Sequence, residues 1–322
     1  MFSIHKKSEA GFEKFILKND ITNNYVSILP QCSAMLHEFV VQQNNEAINV
    51  IDSYESYDEF KNEVVEKGFK GCKLSPFVCR MNESKYKFGE KEYFIQKSLP
   101  AKHSLHGELY DKAFTITAEA ANELNASVTL KYEYRAEDPG YPFNYDCIVT
   151  WQLEPENKLT VTTECINKNE GLIPMQDGWH PYFTLGESIN ELELEFQSLK
   201  MVEFNSDLIP TKNLIDYKKF SSLEKIGDTF LDNCFTLDEQ ECQPLCVLRN
   251  PQKNIEVQFF PDESYPYLQI YTPSHRRSIA IENVSGAPNA FNNGMGFITL
   301  EQGQSALFTT SYKILLLNKI YE

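Results

Sequence analysis

Two runs of alternating residues, CIVTWQL (residues 147–153) and KLTVTTECI (residues 158–166), decide the expected fold. In each run apolar and polar side chains alternate with a period of two, which is the pattern of a half-buried β-strand. The residues between the runs, EPEN, are a connection short enough for two adjacent antiparallel strands. The pair therefore predicts a β-hairpin.

Further β-rich runs occur along the chain at short spacing. They are SVTLKYEY (127–134), ELELEFQ (191–197), NIEVQFF (254–260), YLQIYT (267–272), SIAIEN (278–283) and ALFTTSYKILLL (306–317). Parallel strands need crossover connections of about a dozen residues or more, and these runs lie too close together for crossover helices. We therefore expect an all-β protein of antiparallel sheets. Since the chain has no repeat, low-complexity tract or long linker, we expect a single domain over residues 1–322.

One segment, SYDEFKNEVVEKG (residues 56–68), predicts a helix. Ser56 and Glu59 have the spacing of a capping box, Phe60 begins a partial apolar face, and Gly68 is a typical helix end. Such a short helix decorates a β protein and does not define a helical domain.

The composition excludes several classes of partner. The chain has 322 residues, of which 42% are hydrophobic, and 46 acidic against 30 basic residues give a net charge of -16. A charge of this sign repels nucleic acids and anionic membranes. The N-terminus has no apolar signal region, and no run of about 20 apolar residues could span a bilayer. We expect a cytoplasmic protein that binds neither nucleic acid nor membrane.

The cysteines do not show the spacing of a metal site. Only Cys242 and Cys246 lie close together, and neither has a histidine cluster beside it, so the sequence indicates neither zinc nor any other bound metal. Free thiols in a reducing compartment are the expected state. The eight cysteines are Cys32, Cys72, Cys79, Cys147, Cys165, Cys234, Cys242 and Cys246.

Five polar residues lie in turns or at the ends of predicted strands. They are Arg80, His106, His180, Asp232 and Glu282. Each has an ordinary structural interpretation when it is taken alone: an ion-pair arginine, a turn histidine, a core histidine among aromatic residues, a capping aspartate and a solvated carboxylate. The stretch QDGWHPYFTLG (residues 176–186), which places His180 between a tryptophan and a proline, is the most unusual of these contexts. Only the combination of the five residues suggests a site.

The segments that contain these residues resemble the aldose 1-epimerase family, also called the galactose mutarotase family. The matching stretches are INVIDSYESYDEF (48–60), FKGCKLSPFVCR (69–80), HSLHGELYDKAF (103–114), DGWHPYFTL (177–185), LDNCFTL (231–237) and SIAIENVSGAPNAFNN (278–293). They occur in the family's order and extend over nearly all of the chain. The His-Pro-Tyr-Phe and Leu-His-Gly segments are the most specific.

The resemblance implies an antiparallel β-supersandwich with a few short helices and an open, sugar-sized cleft. It implies interconversion of the α and β anomers of a hexose, without a cofactor, with Glu282 as general base and His180 as general acid. The residues that the resemblance and the sugar's chemistry place around the substrate are Arg80, His106, Asp232, Trp179 and Tyr182. A carboxylate near His180 would raise the histidine's pKa from about 6.5, and we expect this shift to make it cationic at neutral pH.

The chain also departs from the family pattern. Glu108 stands where members often have a second glycine, Asn283 and Val284 follow the proposed base, and MNESKY follows Arg80. These differences concern the substrate more than the class of reaction.

Two alternatives remain open from the sequence. A hexose-6-phosphate mutarotase could bind its phosphate through Arg276 and Arg277, and a carbohydrate-binding module could use the same fold without catalysis. A glycoside hydrolase fits less well, since the matching segments supply one carboxylate and one histidine at the reacting centre and not two carboxylates. The expected partner is a small aldose, and the sequence allows a monomer or a homodimer.

Overall fold

The computed structural model describes residues 1–97, 102–237 and 243–317. Its helices are α1 Tyr57–Glu63 and α2 Ala290–Asn293, with single 3₁₀ turns at Asn82–Ser84, Pro155–Asn157 and Ile189–Glu191. The first strands are β1 Phe2–Glu9, β2 Phe12–Asn19, β3 Tyr25–Leu29, β4 Met35–Gln43, β5 Glu46–Asn49, β6 Lys73–Leu74, β7 Arg80–Met81, β8 Lys85–Phe88, β9 Lys91–Phe94, β10 Ser104–Leu105, β11 Thr115–Ala121, β12 Ala126–Arg135, β13 Asn144–Glu154 and β14 Lys158–Asn167. The remaining strands are β15 Ile173–Met175, β16 Gly178–Trp179, β17 Tyr182–Phe183, β18 Glu193–Phe196, β19 Lys200–Phe204, β20 Pro210–Asp216, β21 Glu224–Lys225, β22 Asp232–Thr236, β23 Cys246–Asn250, β24 Ile255–Pro261, β25 Tyr267–Tyr271, β26 Ile279–Val284, β27 Ile298–Leu300 and β28 Ser305–Leu316.

Two large sheets organise the protein, and the pairings between their strands are antiparallel. The nine-stranded sheet has the order β11-β12-β13-β14-β28-β24-β23-β18-β21. The eight-stranded sheet has the order β20-β19-β22-β25-β26-β16-β6, and β17 also pairs with β26. A five-stranded sheet, β1 to β5, lies at the N-terminal end of the chain. The prediction of an all-β fold of antiparallel sheets is confirmed.

The predicted hairpin is β13 and β14. Their register pairs Cys147 with Cys165 and Glu154 with Lys158, and the 3₁₀ turn at Pro155–Asn157 connects them. Every second side chain of β13, from Cys147 to Leu153, is buried. The alternation in the sequence therefore corresponds to one face of the strand packing into the core.

The core lies between the two large sheets. A single hydrophobic cluster joins Trp151 and Phe259 of the nine-stranded sheet with Phe183, Ile279 and Ile281 of the eight-stranded sheet. Successive side chains of a strand point to opposite faces. Because Ile279 and Ile281 pack into this core, the alternate residues of β26, Ala280 and Glu282, face the other side of the sheet. That second face of the eight-stranded sheet carries the candidate site.

Helix α1 begins where the sequence predicts. Ser56 is its N-cap, and the Ser56 hydroxyl accepts a hydrogen bond from the Glu59 amide at 3.2 Å. The Glu59 carboxylate accepts a hydrogen bond from the Glu55 amide at 2.6 Å, one residue before the N-cap. The helix ends at Glu63, before the predicted end at Gly68, which has a positive φ of 78° in the loop that follows.

The cysteines within the described residues are free, as expected, and all of them are buried. Cys242 lies outside these residues. In the same part of the chain, no helix has the length and apolar character needed to cross a membrane.

Candidate active site

Three adjacent strands of the eight-stranded sheet form the floor of a cleft. The register pairs Asp232 of β22 with Tyr271 of β25, and Gln269 of β25 with Glu282 of β26. Directly paired residues share a face of the sheet, and so do residues two apart on one strand, as Gln269 and Tyr271 are. All four side chains therefore lie on the same side of the sheet. Ile281 points to the opposite side, into the core. The floor thus combines two carboxyl groups, an amide and a phenol.

The segment around His180 forms one wall of the cleft. The backbone of His180 is fixed on both sides, because its amide donates to the Cys72 carbonyl at 3.1 Å and its carbonyl accepts from the Gly71 amide at 2.8 Å. Its ring stacks on the Tyr182 ring with centroids 5.2 Å apart and an angle of 8° between the planes. These contacts hold the imidazole in one orientation at the edge of the floor.

Trp179 does not lie in the cleft, contrary to our expectation from the sequence. Its ring is 1% exposed and packs against Trp151, with centroids 5.1 Å apart, and beneath the Lys73 ammonium group. Neighbouring residues on an extended segment point to opposite faces, so the orientation that directs His180 into the cleft directs Trp179 into the core. Tyr182, two residues after His180, does line the cleft.

Arg80 lies in β7 and His106 directly follows β10, the strand that pairs with β7. The His106 ring meets the His180 ring edge to face, with centroids 4.9 Å apart. The register pairs Arg80 of β7 with Leu105 of β10, and the His106 amide donates to the Cys79 carbonyl at 3.0 Å. The next residue, Gly107, has a φ of 75°, and a Cβ atom there would lie 2.2 Å from the Ser75 carbonyl oxygen. Glycine is therefore required for the turn that presents His106.

The cleft has a volume of about 250 Å³. This is slightly below the roughly 300–1,000 Å³ of sites for drug-sized ligands, which suits a ligand as small as a monosaccharide. Six of the seven residues that we predicted as site residues line it, namely Arg80, His106, His180, Tyr182, Asp232 and Glu282. Lining residues that the sequence analysis missed include Phe69, Cys79, Phe204, Gln269 and Tyr271.

His180 and Glu282 are in contact at the centre of the cleft. The distance from His180 Nε2 to Glu282 Oε1 is 3.4 Å, and both side chains are buried. Within the described residues, His180 Nδ1 and Glu282 Oε2 have no hydrogen-bond partner. Buried polar atoms almost always have a partner, so these two atoms are positioned for a ligand that supplies one.

Burial shifts the pKa values of this pair towards the uncharged forms. Desolvation raises the pKa of Glu282 well above its ordinary range, and the nearby Asp232 carboxylate adds to this shift while Arg80 opposes it. Desolvation lowers the pKa of His180 to about 3. We expected a nearby carboxylate to raise the His180 pKa, but the cost of burying a cation dominates and lowers it. Burial therefore favours a neutral imidazole beside a protonated carboxyl group.

Asp232 forms a second polar cluster in the cleft, together with Gln269 and Arg80. The Gln269 amide donates to Asp232 Oδ1 at 3.0 Å, and the Arg80 guanidinium lies 3.8 Å from Asp232 Oδ2. Burial raises the pKa of Asp232, and Arg80 and Gln269 oppose this effect. Gln269 Oε1 is buried and has no partner among the residues that the structure describes. Gln269 is a polar residue in the middle of an otherwise apolar and aromatic run, and that pattern is the signal by which it could have been found.

A buried ion pair lies behind the cleft. Lys73 Nζ is 2.5 Å from Asp177 Oδ1, and both side chains are completely buried. Lys73 also donates to the Gly178 carbonyl at 3.0 Å, and the Tyr265 hydroxyl donates to Asp177 Oδ1 at 2.6 Å. The Asp177 amide donates to the Ser285 hydroxyl at 2.9 Å, and the Ser285 amide donates to the Asp177 carbonyl at 2.8 Å. These bonds join the chain just before His180 to the chain just after Glu282.

The basic pair Arg276 and Arg277 does not face the cleft. Arg276 donates to the Asn190 side chain and to the carbonyl oxygens of Gly227 and Thr229, at distances of 2.7–2.9 Å. Arg277 lines a different cavity of about 480 Å³. Among the described residues that line the cleft, Arg80 is the only lysine or arginine.

The fold and the site together define a class of protein: an antiparallel β-supersandwich with a small cleft in which a carboxyl group and an imidazole are in contact. The sequence model of the family named aldose 1-epimerase matches residues 17–313. The chain belongs to the aldose 1-epimerase family.

Individual relatives are distant. The uncharacterized protein YihR of Escherichia coli is 25% identical over 244 residues, which cover 73% of this chain and 75% of that protein. A galactose mutarotase-like protein of Clostridium acetobutylicum has a similar structure, with a TM-score of 0.86, 16% identity and coverage of 98% of this chain and 99% of that chain. The galactose 1-epimerase of Lactobacillus acidophilus has a TM-score of 0.81 and 17% identity, with 99% of each chain covered. At these identities the structural similarity shows a common fold.

Proposed function

We propose that the protein is an aldose 1-epimerase that interconverts the α and β anomers of an unphosphorylated hexose. The observation that carries this proposal is the 3.4 Å contact between His180 and Glu282 at the centre of a small cleft. Anomerisation requires an acid and a base at two oxygens bonded to the same carbon atom, O1 and O5 of the sugar. Two proton-transfer groups in contact with each other can serve two such neighbouring oxygens.

The reaction conserves protons and electrons. As the C1–O5 bond breaks, Glu282 takes the proton of the O1 hydroxyl, C1 and O1 become a carbonyl group, and His180 gives a proton to O5. Rotation about the C1–C2 bond then presents the other face of the carbonyl. On closure O5 attacks C1, His180 recovers its proton and Glu282 returns a proton to O1. A redox cofactor has no role in these steps.

The contact between the two side chains supplies the active protonation state. Burial favours a proton on Glu282 and a neutral His180 before a sugar binds. When a sugar binds, its anomeric hydroxyl donates to the unpartnered Glu282 Oε2, and a hydrogen bond of this kind favours the carboxylate. The proton then moves to His180 Nε2 across the 3.4 Å contact. The pair holds one proton throughout, and only its position changes.

The remaining polar groups of the cleft orient the sugar. Arg80 donates hydrogen bonds and Asp232 accepts them, which together match the vicinal hydroxyls of a hexose. Gln269 Oε1, unpartnered within the described chain, accepts a further one. Tyr182, which stacks on His180, offers an aromatic edge to the apolar part of the ring.

The charge of the cleft supports a neutral substrate. A hexose 6-phosphate brings close to two negative charges into a protein of net charge -16. Its recognition needs a local basic cluster. Arg276 is engaged by loop carbonyls and Arg277 lines a separate cavity, so neither of them supports phosphate binding in the cleft.

Polarimetry tests the proposal. Freshly dissolved α-D-glucose, α-D-galactose and their 6-phosphates are followed with and without the purified protein, and no cofactor is added. We expect faster decay of the optical rotation for at least one free hexose, with a higher kcat/KM than for its 6-phosphate. Decay at the buffer rate for every sugar would overturn the catalytic proposal and favour a carbohydrate-binding module. A preference for the phosphate would favour the hexose-6-phosphate mutarotase.

A further inference from the structure

Three residues with different metal-binding atoms converge inside the cleft. The Cys79 thiol, one ring nitrogen of His106 and one carboxylate oxygen of Glu282 all lie within 4.8 Å of one another. They come from segments that are far apart in the sequence, which explains why the spacing of the cysteines gave no indication of a metal site. A thiolate, an imidazole and a carboxylate are the ligand types that zinc uses in proteins.

The backbone holds two of these ligands side by side. The His106 amide donates to the Cys79 carbonyl at 3.0 Å, and both residues have positive φ angles, 63° for His106 and 51° for Cys79. Residues with side chains adopt such angles rarely, and they do so where the surrounding structure imposes them. Here Cys79 and His106 are the neighbours of a paired couple, Arg80 and Leu105. The two side chains thus project together towards Glu282.

The ligand atoms are buried but not satisfied. His106 is 7% exposed and Glu282 is 1% exposed, and His106 Nδ1 and Glu282 Oε2 have no hydrogen-bond partner in the described part of the chain. The three side chains line the open cleft, so an ion can reach them from solvent. Three protein ligands leave a fourth tetrahedral position for water, which is the arrangement of an open zinc site.

The spacing is compatible with metal binding after a small rearrangement. Ligand atoms around a tetrahedral zinc ion lie about 3.5 Å apart, given bonds of about 2.0–2.3 Å. Separations of up to 4.8 Å therefore require inward movements of about 1 Å. Binding also releases the thiol proton, because the thiolate is the ligand.

We propose that Cys79, His106 and Glu282 form a binding site for Zn²⁺ and for other thiophilic divalent ions such as Cd²⁺ and Co²⁺. The ion would bind the Glu282 carboxylate, which is the base of the proposed reaction. Metal and sugar would therefore exclude each other. The metal site itself does not depend on the proposed function. Only the expected inhibition by metal rests on that function.

Cobalt absorption tests the site without reference to activity. Co²⁺ is titrated into the metal-free protein under reducing conditions, and the thiolate-to-cobalt charge-transfer band in the near ultraviolet is recorded. We expect saturation at one ion per chain, displacement by Zn²⁺, and loss of the band in Cys79→Ala. The matched control is Cys246→Ala, because Cys246 is equally buried but lies in the core and not in the cleft. The control should keep the band.

A Glu282 variant and a measurement of metal inhibition complete the test. Glu282→Gln keeps the thiol, and we expect it to weaken Co²⁺ binding by at least about tenfold, the loss that even outer-shell changes can cause. An absent band in wild type, or an equal band in Cys79→Ala, would overturn the site. If wild type anomerises sugars, Zn²⁺ should inhibit it, EDTA should reverse the inhibition, and Cys79→Ala should be less sensitive. Activity without a cobalt band refutes this inference alone, and a band without activity refutes the proposed function alone.

Discussion

Two buried pairs of ionisable residues in the same sheet differ in how well they are satisfied. Lys73 and Asp177 are 2.5 Å apart and completely buried, and further hydrogen bonds to Gly178 and from Tyr265 complete the contact. His180 and Glu282 are 3.4 Å apart, and each retains a polar atom without a partner among the described residues. Satisfied buried groups stabilise one conformation, whereas unsatisfied ones carry a cost that a ligand can remove.

Because their hydrogen bonding differs, we infer different roles for the two pairs. Lys73 and Asp177 hold the segments that carry His180 and Glu282 in register, through the bonds between Asp177 and Ser285. His180 and Glu282 remain available for a substrate and hold one proton between them. We propose that this pair is uncharged before a sugar binds and that its proton moves when the sugar binds. Substitutions in each pair should therefore separate a loss of activity from a loss of stability.

The largest effect is expected from removing a proton-transfer group. Glu282→Gln and His180→Asn should each lower kcat by about 10²–10⁴-fold, the usual contribution of a positioned acid or base. The free energy of unfolding should change little, because each substitution retains the shape of the side chain. Polarimetry and urea denaturation measure the two quantities. Glu301→Gln, an exposed glutamate outside the cleft, is the matched control. A near-normal kcat in Glu282→Gln would mean that another residue is the base.

The second effect concerns stability. Lys73→Met leaves the Asp177 carboxylate buried without its cation, and removing one partner of a buried pair lowers the free energy of unfolding by about 3–5 kcal/mol. Urea denaturation measures the loss. Adding Asp177→Asn removes the uncompensated charge and should restore part of the stability. Lys225→Met breaks an exposed ion pair with Glu191 and should have a much smaller effect. Equal losses in the two lysine variants would contradict the distinction between the pairs.

A smaller effect is expected at the mouth of the cleft. Arg80→Ala removes hydrogen bonds from a charged donor, each of which contributes about 1.5–3 kcal/mol, so KM should rise about 10- to 100-fold. Asp232→Asn should act in the same direction, and kcat should change much less than KM in both variants. Steady-state polarimetry over a range of hexose concentrations separates the two parameters. A fall in kcat at constant KM would place these residues in the proton-transfer step.

The smallest effect is expected at the basic pair. Arg277→Ala alters a separate cavity, so kcat/KM for a free hexose should stay within about twofold of wild type, as for most surface substitutions. The same assay with the hexose 6-phosphate checks the charge argument. A phosphate preference in wild type that Arg277→Ala abolishes would show that the cavity takes part in substrate recognition.

Much of the fold could be predicted because its signal is local. The period-two runs at residues 147–153 and 158–166 became β13 and β14, since half-buried strands must alternate polar and apolar side chains. The run at residues 191–197 gave only the short β18, because a 3₁₀ turn occupies Ile189–Glu191. Local alternation does not show where a turn interrupts a strand.

The site was harder to predict because it depends on register and burial. Trp179 was assigned to the cleft as an aromatic neighbour of His180, but alternation along the segment turns it into the core. Cys79 enters the cleft through a backbone hydrogen bond with His106, a residue far away in the sequence, and no local pattern reveals that contact. The sign of the His180 pKa shift depends on desolvation, which a sequence does not report.

The most direct test of the central claim is the infrared difference spectrum between wild type and Glu282→Gln in the absence of sugar at about pH 6. At this pH a glutamate with an ordinary pKa of about 4.3 is ionised. Because burial raises the Glu282 pKa well above its ordinary range and lowers the His180 pKa to about 3, we predict the carbonyl stretch of a protonated carboxyl group. That band should weaken when a saturating hexose is added. Carboxylate stretches from Glu282 in the sugar-free protein, with an imidazolium at His180, would contradict the claim.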